Sequence, residues 1–143
     1  VDPSVIERFN QQTIPTAMGE IGREYTDDKK NGEVSQPYRT LDEVTFLKRS
    51  FRQVGHIYLA PLDIESTLCI PYWGKTHVGE KETLVDMVEC CLQELSLHPP
   101  EIWDTYASKI IGSCQKFANI VPKLNPTYKN YQMAVRNRTE SWF

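Results

Sequence analysis

The feature that most constrains this chain is the pair Pro99-Pro100, set between two apolar stripes of helical period. Before it, Leu84, Val85, Val88, Cys91, Leu92 and Leu95 recur at helical spacing, with Asp86, Glu89 and Gln93 opposite. Proline has no N–H to give to a helical ladder, so the first helix must stop there, while Pro100 suits the first turn of the next. That second helix is expected to bury Trp103, Tyr106, Ile110, Cys114, Phe117 and Val121. Asn125-Pro126 then opens a last helix carrying Tyr128, Tyr131 and Val135. From Pro61 onward the signals are helical.

Upstream of Pro61 they are mixed. Pro3 and Ser4 open an amphipathic stretch with Val5, Ile6 and Phe9 on one face, and Thr13 is placed to cap a second one holding Ile14, Ala17, Met18 and Ile21. Residues 25–40 are polar, with Asn31-Gly32 as a turn signal and Pro37 as a further break. Val44 to Leu47, Phe51 to Val54 and His56 to Leu59 are rich in β-branched and aromatic residues, which predicts a compact hairpin or small sheet. Asp63 is placed to cap a short helix through Leu68, ended by Pro71. The class expected is α+β, with residues 1–60 forming one part and residues 61–143 a mainly helical second part.

A chain of 143 residues with 40% hydrophobic and 24% charged residues can bury a core without disulfides or structural metal, and is not disordered in composition. No apolar run approaches a membrane span and no signal peptide opens the chain, so a soluble, intracellular protein is expected. Cys69, Cys90, Cys91 and Cys114 include no C-x-x-C, and free thiols are the plain reading. Val1 in place of Met suggests a piece of a longer chain.

The formal charge of −3 hides a segregation. Glu80, Glu82, Asp86, Glu89, Glu94, Glu101 and Asp104 face a single Lys81, whereas residues 105–139 hold Lys109, Lys116, Lys123, Lys129, Arg136 and Arg138 with no Asp or Glu. Lys109 and Lys116, seven apart, are expected on one helical side.

The string VTFLKRSFR, residues 44–52, resembles motif E of the RNA-dependent RNA polymerases of picorna-like positive-strand RNA viruses, and it follows Asp28-Lys29 at the family's spacing between motifs D and E. Downstream, Leu59-Ala60-Pro61-Leu62, a short helix ending near Trp73, two longer helices and a final Tyr128-x-x-Tyr131 look like the family's thumb, and the wording is most similar to the insect-infecting dicistroviruses. The resemblance implies the C-terminal part of the palm over residues 1–60 and the thumb over residues 61–143. In such enzymes motifs A, B and C lie before these segments and carry the aspartates that bind magnesium. This chain alone is therefore expected to be inactive.

The stretch Tyr25-Thr26-Asp27-Asp28 is one letter from the metal-binding YGDD of many polymerases. A catalytic aspartate pair needs a rigid, apolar setting. Here Arg23-Glu24 precede it and Lys29-Lys30 follow, so both flanks stay solvated, two ammonium groups compete for the carboxylates, and no metal is expected. The resemblance makes Lys29 the general acid of nucleotidyl transfer, protonated at neutral pH and able to donate to the departing pyrophosphate. The bland alternative is a solvated charged loop.

For Phe46-Leu47-Lys48-Arg49 the resemblance implies the primer grip, which holds the growing strand in line with the incoming nucleotide. Lys48 is the expected phosphate contact, with Arg49 and Arg52 as helpers and Phe46, Leu47 and Phe51 as packing. Strict alternation would put Phe46 and Lys48 on one face unless a turn rotates them. Lys109, Lys116 and Lys123 are expected to face product RNA. His56, His77 and His98 lack ligand spacing, no serine has a credible base, and Trp73, Trp103, Tyr128 and Tyr131 read as core. The partners implied are an RNA template and primer strand, nucleoside triphosphates and the rest of the palm and fingers, with self-association through a cut palm surface. The setting implied is the host cytoplasm, at membrane-associated replication complexes. The alternative, from another class, is a non-enzymatic helical RNA-binding or protein-interaction module.

Overall fold

A computed structural model describes residues 3–27, 30, 36–73 and 80–140. Among these the order is α1 (Pro3–Ile6), α2 (Ile14–Glu20), a 3-10 turn (Leu41–Glu43), β1 (Arg52–Val54), β2 (Ile57–Leu59), α3 (Ile64–Cys69), a second 3-10 turn (Ile70–Tyr72), α4 (Glu80–Leu97), α5 (Pro100–Ser113) and α6 (Tyr128–Glu140). The α+β class expected from the sequence is what forms. Among the described residues no helix is long and apolar enough to cross a membrane.

The core belongs to the helices. Val88, Cys91, Leu92 and Leu95 of α4 are fully buried against Trp103 and Ala107 of α5 and Tyr131 of α6. Trp103 lies edge-on to Tyr128 with ring centroids 5.9 Å apart and tilted to Tyr131 at 5.3 Å, within the range of favourable aromatic pairs. The Cys91 thiol donates to the Thr67 carbonyl at 3.3 Å, and burial, with Cys114 and Cys90 near it, pushes its pKa up to about 12. All four cysteines are free.

Several expectations need correcting. The stripe of α5 does not run on to Val121: after Ser113 the ladder widens into a π turn, Cys114–Ala118. Asn119 then closes it at φ 50, with the Ile120 N–H reaching back to the Cys114 carbonyl. The inserted residue throws the stripe off phase, so Phe117 and Val121 are 78% and 62% exposed while Ile120 and Pro122 are buried. Trp73 is 79% exposed at the end of the second 3-10 turn, not core. Glu89, read as outward-facing, is buried. Its carboxylate accepts from the Tyr131 hydroxyl at 2.8 Å, the Leu124 N–H at 3.3 Å and the Lys123 N–H.

Asp63 caps α3 as expected, its Oδ1 accepting from the Ser66 N–H at 3.0 Å. Thr13 precedes α2 but caps nothing with its side chain; its hydroxyl donates backward to the Arg8 and Asn10 carbonyls. The N-terminal segment is tied to the loop near residue 38 by the Tyr38 hydroxyl on the Ile6 carbonyl and the Gln11 N–H on the Pro37 carbonyl.

Candidate nucleic-acid interface

The hairpin is short. β1 and β2 pair antiparallel with Arg52 opposite Leu59 and Val54 opposite Ile57, and Gly55 takes φ +61 in the turn between them. Ahead of β1, Phe46 and Arg49 exchange both backbone hydrogen bonds at 2.9 Å across Leu47-Lys48, making a two-residue turn. Leu47 and Lys48 stand at φ 50 and φ 63, the left-handed region that a primed hairpin turn requires and that Asn-Gly usually fills. Two side-chain-bearing residues held there cost about 1–3 kcal/mol each, so surrounding contacts must over-determine the turn.

Backbone hydrogen bonds from residues outside the turn supply them. Asp63 N–H donates to the Lys48 carbonyl at 2.8 Å and Ser50 N–H to the Pro61 carbonyl at 3.1 Å. Lys48 itself is exposed, its ammonium donating to the Ser66 hydroxyl at 3.1 Å. The turn rotates the side chains away from strict alternation. Phe46 and Leu47 are 67% and 77% exposed, so the packing role expected of them is not met in this chain.

Arg49 and Arg52 are engaged inside the chain. Arg49 makes a two-pronged pair with Glu94 of α4 at 3.0 and 2.8 Å and donates to the Ala60 carbonyl at 2.7 Å. Its pKa is raised first by that hydrogen-bonded carboxylate. Arg52 donates to the carbonyl of Leu97, the last residue of α4, at 3.2 Å, where a cation suits the negative helix end. It also reaches the Tyr128 hydroxyl at 3.5 Å. The expected helper role at a strand phosphate thus meets two guanidinium groups already paired within the chain.

The cations of the helical part are spread out. Lys109 sits 6.0 Å from the Tyr106 ring centroid and Lys116 5.0 Å from that of Phe117, both exposed. Lys109 lies in α5 and Lys116 in the π turn that follows it. Lys123 pairs with Asp86 of α4. That carboxylate raises the lysine's pKa. Part of the acidic and basic segregation is therefore internal pairing. Lys29 lies outside the described residues, as do Asp28 and His77.

Asp27 faces Arg39 at 4.0 Å. Among the described residues no three His, Cys, Asp or Glu side chains gather into a cluster. His98 is structural: it is largely buried with Nε2 2.8 Å from the Leu62 carbonyl, and burial lowers its pKa. Sequence reasoning missed Glu94 and Glu89 as partners. Nothing local announces a contact with Arg49 or Tyr131 more than forty residues away.

Compared with known proteins, residues 3–135 match the family model described as viral RNA-dependent RNA polymerase, and the chain belongs to that family. It is 33% identical over 114 residues to the replicase polyprotein of Drosophila C virus and 34% identical over 116 residues to that of acute bee paralysis virus. In both cases the match covers 78% of this chain and 6% of the polyprotein. The genome polyprotein of rice tungro spherical virus (strain Vt6) is 29% identical over 120 residues, 81% of this chain and 4% of its own length. The picorna-like, dicistrovirus resemblance read from motif E is borne out.

Proposed function

We propose that this chain supplies the C-terminal palm and the thumb of an RNA-directed RNA polymerase that copies a viral genome by template-directed nucleotidyl transfer, and that it is inactive alone. The observation that carries the reading is the Leu47-Lys48 turn, a strained two-residue turn presenting an exposed ammonium beside the helical bundle. Strain retained at an exposed tip is the pattern of a functional position rather than of a connecting loop. Lys48 holds a backbone phosphate of the growing strand, keeping its terminal hydroxyl in line with the α-phosphate of the incoming nucleotide. Arg49 and Arg52 hold the turn rather than the strand. Lys109 and Lys116 border the departing duplex, and Lys123 joins them weakly, since an exposed ion pair with Asp86 is easily exchanged for phosphate.

Lys29 acts as the general acid. As the primer hydroxyl gives up its proton to water and forms its bond to the α-phosphate, the bond to pyrophosphate breaks and the leaving oxygen takes the lysine's proton. Magnesium would be held by residues elsewhere in the whole polymerase and would supply neutralisation of the phosphate charge there. Template, primer, nucleoside triphosphates and the remaining palm and fingers are the partners, and the place of action is the host cytoplasm at membrane-associated replication complexes.

In the complete polymerase, Lys29→Ala is expected to slow turnover at saturating nucleotide by about 10²-fold, the low end for general-acid catalysis, with a much smaller change in KM. Unchanged turnover would remove the general-acid role.

A further inference from the structure

We infer that Glu94 is a positioning residue: by gripping Arg49 it sets the height and orientation of the Leu47-Lys48 turn, so that hairpin and the C-terminal half of α4 move as one body. The inference rests on the reading of Lys48 as the strand contact and goes beyond it by naming what aims that lysine.

The geometry runs through few atoms. Arg49 follows Lys48 directly and closes the turn through both backbone hydrogen bonds to Phe46, at 2.9 Å each. A guanidinium gripped at two nitrogens by one carboxylate, at 3.0 and 2.8 Å, is fixed in plane as well as in distance. The third contact, Arg49 Nη1 to the Ala60 carbonyl at 2.7 Å, ties the same group to the return strand's exit. The pair is partly shielded, with side chains 37% and 22% exposed, so solvent competes less than at a surface pair such as Lys123 with Asp86, at 63% and 64%.

A second tether enforces the first. Arg52 holds the Leu97 carbonyl at 3.2 Å, one helical turn beyond Glu94 on α4. Two attachments to one helix stop the hairpin from pivoting about either. A displacement of α4, as when a thumb opens or closes on a duplex, is thereby passed to Lys48. Toward the turn the charge of Glu94 acts through Arg49, while its effect on His98 and Cys91 stays within the core.

The test uses the complete polymerase, stalled on a primer–template and challenged with excess competitor RNA. Complex lifetime and the rate of adding one nucleotide at saturating concentration are both read. Glu94→Ala and the near-isosteric Glu94→Gln are expected to shorten the lifetime, the former about tenfold, within the range that such coupling networks carry, with the addition rate within about twofold. Lys48→Ala combined with Glu94→Ala is expected to match Lys48→Ala alone, because the glutamate has nothing left to aim. The swapped pair Arg49→Glu with Glu94→Arg is expected to recover part of the lifetime. If Glu94→Ala does not fold, Glu94→Gln carries the comparison. An unchanged lifetime for both glutamate variants while Lys48→Ala shortens it, or effects that multiply in the double variant, would overturn the inference and leave the reading of Lys48 standing. An unchanged lifetime for Lys48→Ala would sink both.

Discussion

Replacing Tyr131 by Phe removes one oxygen from the centre of the molecule and little else. The Tyr131 side chain is fully buried, and its hydroxyl donates to Glu89 Oε2 at 2.8 Å inside the α4–α6 contact. Phe keeps the ring that lies 5.3 Å from Trp103, so no cavity of consequence opens. A hydrogen bond to a charged group is worth about 1.5–3 kcal/mol net, and the carboxylate keeps its two backbone donors, Lys123 and Leu124. Tyr131→Phe should therefore lower the unfolding free energy of the chain by roughly 2 kcal/mol, a fall in Tm of about 5–10 °C for a chain of this size. Urea unfolding at neutral pH measures it, with an unchanged m-value expected.

The pH profile adds a signature. Burial, and the hydrogen bond to Glu89, raise the Tyr131 phenol above its ordinary value. A raised folded value gives stability that is present below the unfolded phenol's value of about 10 and lost as pH rises above it. Wild type should weaken above that pH more steeply than Tyr131→Phe. A neutral-pH cost below about 0.5 kcal/mol, or identical alkaline limbs, would refute the claim that Glu89 and Tyr131 form a buried, satisfied pair.

Two further predictions concern the edges of the core. Burial lowers the His98 pKa more than Leu62 and Glu94 raise it, so the neutral ring contributes stability that is present above the unfolded value of about 6.5 and lost as pH falls through the folded one. Urea midpoints at pH 7.5 and 5 should fall further for wild type than for His98→Gln, in which the amide can still reach the Leu62 carbonyl. Asp63→Ala removes the cap of α3 and should cost about 1 kcal/mol at neutral pH. The Ser66 N–H and hydroxyl lower the Asp63 pKa, so that deficit should vanish as pH drops below the folded carboxyl's value, read by the same urea series.

Much of this fold was legible because it depends on local chemistry. The period of Val88, Cys91, Leu92 and Leu95, the stop at Pro99-Pro100, the Asp63 cap and the hairpin segments Phe51 to Val54 and His56 to Leu59 each follow from residues within a few positions of one another. What escaped depends on distant pairing. Glu89 shares its face of α4 with exposed Asp86 in any helical plot, and only Tyr131 and the 123–124 backbone make its burial affordable. The π turn at Cys114–Ala118 leaves no clear mark in the sequence, yet it moved Phe117 and Val121 out of the core. At the candidate interface the motif located the turn. The division of labour within it, Lys48 outward and Arg49 inward, required Glu94.

If Lys48 faces the growing strand, a crosslinker at that position reports it. A photoactivatable group attached at Lys48→Cys in the complete polymerase, irradiated on a primer–template in which each strand is labelled in turn, should crosslink to the primer strand near its growing end. Crosslinks to the template strand, or none from an enzyme that still elongates, would contradict it.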